Sequence, residues 1–135
     1  MFFSFFVFCS CDPMDDRLVF KNSTEDTLVV RFMFDKELPN NPEHWNRSRN
    51  FVITPLEEKK ISIFNKWESE FKRALPEKSI NVLVTKFYDF ETNPQKWDTI
   101  YLKENFFNKK YTLEQIKDND WLINFPNDGF GNGTD

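Results

Sequence analysis

Apolar and polar residues alternate from Leu28 to Phe34. Leu28, Val30, Phe32 and Phe34 fall on one side, and Val29, Arg31 and Met33 on the other. A period of two predicts a strand. Upstream, Leu18-Val19-Phe20-Lys21-Asn22 predicts a shorter strand. It stops at the polar cluster Asn22-Ser23-Thr24-Glu25-Asp26, whose residues favour turns, and the two strands together predict a hairpin. Further strands are expected at Phe51-Val52-Ile53, broken by Pro55, and over Lys60 to Phe64 with Ile61 and Ile63 inward. Ser79 to Tyr88 is the strongest signal. Ile80, Val82 and Val84 lie on one face and Leu83 and Phe87 on the other, which predicts a strand covered on both sides. Trp97 to Lys103 is expected as a strand, and Trp121, Ile123 and Phe125 as the last one, closed by Pro126.

The period changes at two places. Trp67, Phe71, Ala74 and Leu75 share one helical face, which predicts a helix of about three turns, capped by Asn65 with Glu68 and stopped by Pro76. Thr112-Leu113-Glu114-Gln115 is a capping box that predicts a short helix ending at Asp118-Asn119-Asp120. Asp89 to Lys96 and Asn105 to Lys110 read as turns, the second with Phe106 and Phe107 packed beneath it. Six or seven short strands, two helical insertions and no βαβ repeat predict a mainly β fold, an antiparallel sandwich or curved sheet.

The ends and one internal segment depart from these patterns. Met1 to Phe8 is an apolar run followed by Cys9-Ser10-Cys11, with the small Ser10 just before Cys11. This looks like a lipobox, in which Cys11 is the lipidated residue, and 1–10 reads as a lipoprotein-type leader, whole or cut short. The run is too short to span a bilayer, which takes about 20 apolar residues, and carries no basic residue ahead of it. Residues 11–16 read as an acidic tether, 17–126 as one β-rich domain and 127–135 as a disordered tail. The competing reading makes 1–10 a folded strand of a cytosolic protein-interaction or immunity-type protein. Asp35 to Asn50 is a long segment without periodicity, and such segments often carry function. It holds Trp45 as an aromatic anchor and His44, Arg47 and Arg49 as donors. These are the candidate ligand-binding residues, suited to an acidic glycan or an acidic protein surface.

Composition narrows the classes. Seventeen Phe against three Gly favour pleated sheet over loop-rich folds. The net charge of −4, without a Lys/Arg cluster, gives nucleic acid no footprint. The two cysteines both lie in the first dozen residues and His44 is the sole histidine, so no metal site and no cofactor is expected. No nucleophile elbow accompanies His44, and Asp15-Asp16, Glu57-Glu58 and Asp118-Asp120 read as solvated turns or faces rather than catalytic pairs. A non-enzymatic domain is expected.

The layout resembles a known group. The lipobox cysteine, the early Val19-Phe20-Lys21-Asn22-Ser23-Thr24, and the closing Tyr111-Thr112-Leu113-Glu114-Gln115-Ile116 and Trp121-Leu122-Ile123-Asn124-Phe125-Pro126 resemble a group of small uncharacterised lipoproteins of Bacteroidetes. In these the closing segment runs Tyr-Thr, a short helix, then Trp and an alternating strand ending in Pro. The acidic stretch after Cys11 is similar to their surface-export signal. The resemblance implies a secreted protein with a sandwich-like fold; with the lipobox cysteine, the expectation is a lipid-anchored protein of the bacterial cell envelope, at the outer membrane. It implies no activity.

Overall fold

A computed structural model describes residues 14–33, 50–74, 78–92 and 96–133, without the side chain of residue 73. The fold is mainly β, with mostly antiparallel sheets and four short helices among the described residues. Strands β1 (Met14–Asp15), β2 (Val19–Asn22), β3 (Leu28–Met33), β4 (Asn50–Ile53), β5 (Glu58–Lys60) and β6 (Ile63–Phe64) precede helix α1 (Trp67–Arg73). Then come β7 (Ser79–Lys86), α2 (Phe87–Thr92), α3 (Trp97–Leu102), β8 (Phe107–Thr112), α4 (Leu113–Asp118), β9 (Leu122–Phe125) and β10 (Gly131–Asn132).

The strands form a five-stranded sheet in the order β10-β8-β7-β3-β4, a three-stranded sheet β5-β2-β9 and a ribbon β1-β6. β7 is internal to the large sheet, as its apolar residues on both faces predicted. Its inner face, with Leu28, Val30 and Phe32 of β3 and Ile80, Val82 and Val84 of β7, packs against Phe20 of β2 and Ile123 and Phe125 of β9. Trp67 and Phe71 of α1 and Ile116 of α4 join this core. The outer face is covered by Trp97 and Ile100 of α3, with Phe106, over Val29, Met33 and Leu83. Apolar alternation along β3 and β7 therefore places one strand pair between two layers.

Several expectations are corrected. β2 and β3 do not form a hairpin. β2 pairs antiparallel with β5 and parallel with β9, while β3 pairs with β4 and β7. The turn residues at 23–26 carry the chain from one sheet to the other. The expected turn from Asp89 and strand from Trp97 are instead the helices α2 and α3. Trp97, Ile100 and Tyr101 are spaced i, i+3, i+4 on one helical face, and Trp97 and Ile100 are buried by it. Phe107 to Lys110, read as a turn, belongs to β8. Its lysines hide an alternation of Phe107, Lys109 and Tyr111. Lys60 to Phe64 is two strand pieces, with Ile61 buried between them. Residues 131–132 of the expected tail form the edge strand β10 against β8, and Phe130 packs on the core. The first helix is shorter than expected and its N-cap is Lys66, not Asn65, which sits at a φ of 69°. The capping box at Thr112 is present in full, with side chain and backbone of Thr112 and Gln115 exchanging hydrogen bonds.

Candidate functional site

The N-terminal ribbon and α1 meet through charge. Asp15, in β1, stands at the start of α1, and its Oδ2 accepts the backbone N–H of Trp67 at 3.0 Å. This supplies the cap that Lys66 lacks, from a residue distant in sequence. Arg17 donates to both oxygens of Asp15, Nε to Oδ1 at 2.9 Å and Nη2 to Oδ2 at 2.6 Å. It also donates to both oxygens of Glu68, at 2.9 and 2.5 Å. Its guanidinium lies 4.0 Å from the centre of the Trp121 ring. One planar fork thus spans two carboxylates and an indole, a geometry that a lysine ammonium does not match.

The clamp fixes its own ionisation. The hydrogen bond from Arg17 holds the Asp15 carboxyl down at about 2, against the opposing effect of burial. Arg17 also lowers Glu68, and Asp15 and Glu68 raise Arg17. All three groups stay charged near neutral pH, whereas general acid–base chemistry needs a group that titrates near its working pH. An open groove of about 550 Å³ runs beside it, lined by Met14, Asp16, Asn65, Lys66 and Ser69 as well as the clamp.

The expected ligand residues His44, Trp45, Arg47 and Arg49 lie outside the described residues, as do Cys11, Leu75 and Pro76. The roots of their segment are described. Met33 ends β3 opposite Asn81, and Asn50 begins β4 opposite Arg31. Asn50 Oδ1 accepts the indole N–H of Trp97 at 2.8 Å. Arg31 is 2% exposed, and burial brings its pKa down to about 10 while the nearby Asp98 acts the other way. It therefore remains a buried cation at neutral pH. Sequence reasoning passed over Arg31, although an Arg inside a strand apolar on both faces was a visible signal. Trp97 and Phe90 pack in the outer core with ring centres 5.6 Å apart, while Tyr88 is exposed.

A third polar cluster is structural. Tyr111 donates to Asp128 Oδ2 at 2.9 Å, the same oxygen that accepts the backbone N–H of Asn124, and Lys109 donates to the Asp128 carbonyl. Burial, with Asp128 beside it, raises the Tyr111 pKa. Asp128 thereby ties the turn after β9 to β8. A smaller cavity of about 180 Å³, lined by Leu28, Phe107, Phe125 and Pro126 together with Lys86 and Asp26, falls below the usual range of small-molecule sites, about 300–1,000 Å³. Among the described residues no group of His, Cys, Asp and Glu could hold a metal ion, and no helix is long and apolar enough to cross a membrane. No protein-family model, curated protein or solved structure matches the chain.

Proposed function

We propose that the chain is a lipoprotein of the bacterial cell envelope, held at the outer membrane by lipid on Cys11, whose β-domain binds or scaffolds and does not catalyse. The observation that carries this reading is the Asp15–Arg17–Glu68 clamp. It ties the chain to α1 four residues past Cys11, so a pull on an anchored Cys11 is borne by a charged, chelated contact. The displaced ionisations fit a binding domain, because Asp15, Arg17 and Glu68 are held charged rather than poised near neutrality.

Metabolic labelling with an alkyne fatty acid in a bacterial host tests the anchor. The wild type takes up label and Cys11→Ala does not; equal labelling of both, or none of either, removes the reading. For the partner we assign Trp45 as anchor and His44, Arg47 and Arg49 as donors to an acidic glycan or acidic protein surface. Trp45→Ala should lose retention on acidic glycans or envelope fractions with an unchanged melting temperature. A lower melting temperature with unchanged retention would assign Trp45 to the core instead.

A further inference from the structure

The β1–β6 ribbon has two unlike faces. Met14 stands opposite Phe64, and Asp15 opposite Ile63. In a two-stranded ribbon, residues opposite each other share a face, and neighbours along a strand alternate. The Asp15–Ile63 face is turned inward: Asp15 caps α1 and Ile63 packs against the inner core. The Met14–Phe64 face is the outer one, and it is apolar where a solvated ribbon carries polar residues. Met14 is 44% exposed and Phe64 57%. Exposed apolar residues scattered singly are ordinary in a soluble domain, but a cross-strand pair concentrates apolar surface on one small face.

We propose that this outer face rests on the lipid bilayer, with Met14 and Phe64 in the interfacial region; the proposal rests on the lipid anchor at Cys11. Met14 follows Cys11 by three residues. A fully extended chain covers at most about 3.6 Å per residue, so Met14 lies within about 11 Å of a lipidated Cys11 however the intervening chain runs. The headgroup layer on each side of a bilayer is roughly 5–8 Å thick. The clamp then makes this proximity a property of the whole domain, because Asp15 and Arg17 fix β1 to α1. An anchored domain thus brings this end to the membrane, and among the described residues Met14 and Phe64 are apolar side chains exposed there.

The charges around the face fit electroneutral lipid. Asp15, Asp16 and Glu68 are matched by Arg17, Lys60 and Lys66, with Asp16 and Lys60 3.9 Å apart. The groove beside Met14 offers both signs, Lys66 and Arg17 with Asp15, Asp16 and Glu68, as a zwitterionic headgroup does.

The test uses the full chain, lipidated in an export-competent bacterial host and reconstituted in phosphatidylcholine vesicles whose acyl chains are plain or brominated near the headgroup. Phe64→Trp and Met14→Trp add a reporter on the outer face, and Leu102→Trp adds one at an exposed position of α3. Bromine quenches tryptophan at short range. The added fluorescence at 64 and 14 should fall by roughly half in brominated vesicles, as for side chains buried about 5–10 Å into the interface, while that at 102 should be unchanged. Mass spectrometry of the same preparation reports lipid on Cys11. Lipid present with 64 and 14 unquenched overturns the ribbon proposal and leaves the anchor standing. Cys11 without lipid takes away both.

Discussion

On its inner face the five-stranded sheet presents Leu28, Val30 and Phe32 from β3 and Ile80, Val82 and Val84 from β7. On its outer face the same strands present Val29, Arg31 and Met33, and Asn81, Leu83 and Thr85. Every inner residue is apolar and belongs to a core closed by the second sheet together with Trp67 and Phe71 of α1 and Ile116 of α4. The outer set is half polar and is met by helices of six residues. At 1.5 Å per residue such a helix is about 9 Å long, against roughly 27 Å for the eight residues of β7. A short helix covers only part of a long strand, and polar residues occupy the remaining positions. Thr85, for example, donates to the Asn105 carbonyl at 3.0 Å. A sheet layer permits a wholly apolar face, whereas a fragmentary helical layer selects a mixed one.

The largest expected effects fall on the inner side. Phe71 is 2% exposed and anchors α1 in the inner core, so Phe71→Ala should destabilise the domain by about 3–5 kcal/mol, read as a urea midpoint shift at constant m-value. An unchanged midpoint would mean that α1 contributes nothing to the core. A sharper contrast pairs Ile80→Ala on the inner face with Met33→Ala on the outer, both nearly fully buried. Both belong to a class of change that costs about 2–5 kcal/mol, and Met33 should lie near the lower end because the thin outer layer can settle into the gap. Equal losses would erase the distinction between the faces.

The same asymmetry marks where the fold was legible in the sequence. The inner layers follow simple periods: β3, β7 and β9 alternate, α1 carries Trp67, Phe71 and Ala74 on one face, and α4 has its capping box. All of these were foreseen. The outer layer was misread. Over Trp97 to Lys103 a pattern of Trp, Ile and Tyr fits a strand about as well as a helix, and short apolar runs do not separate the two. The β2–β9 pairing is parallel and joins segments about a hundred residues apart, which no local pattern records. Asp15 as cap and Arg17 as clamp were invisible for the same reason. Of the candidate site, Arg31 could have been found from its apolar neighbours. The geometry that buries it beside Asn50 is tertiary.

Asp15 tests whether the inner helix depends on its distant cap. Asp15→Asn keeps an acceptor but removes the charge that Arg17 grips, and should cost about 1–2 kcal/mol at pH 7. The folded carboxyl is depressed from 3.8 to about 2, so it binds its proton less readily than in the unfolded chain. Its contribution is therefore complete above the unfolded value and disappears as pH falls through the folded one. The stability gap between wild type and Asp15→Asn should be constant from pH 7 down to about 4.5 and shrink between about 4 and 2. A gap that does not change over that range would show that the loss comes from packing, not from the ion pair.

The smallest effect concerns how the layers hold their helices. The two that reach the inner core both have side-chain caps, Asp15 for α1 and Thr112 for α4, whose Ile116 is buried there. The outer helix α3 has Lys96 at its N-cap, with no side-chain cap hydrogen bond. If the inner helices are fixed by caps as well as by burial, Thr112→Ala should cost about 1 kcal/mol, or roughly 3–6 °C in melting temperature, because the backbone N–H of Gln115 loses its acceptor. Thr112→Ser restores the hydroxyl without the methyl group and should recover most of that loss. Lys96→Ala, at the uncapped start of α3, should move the midpoint by no more than a few tenths of a kcal/mol, the scale of its exposed pair with Glu91. A Thr112→Ala protein that melts with wild type, or a Lys96→Ala protein that loses as much as Thr112→Ala, would show that the two layers secure their helices in the same way, by burial alone.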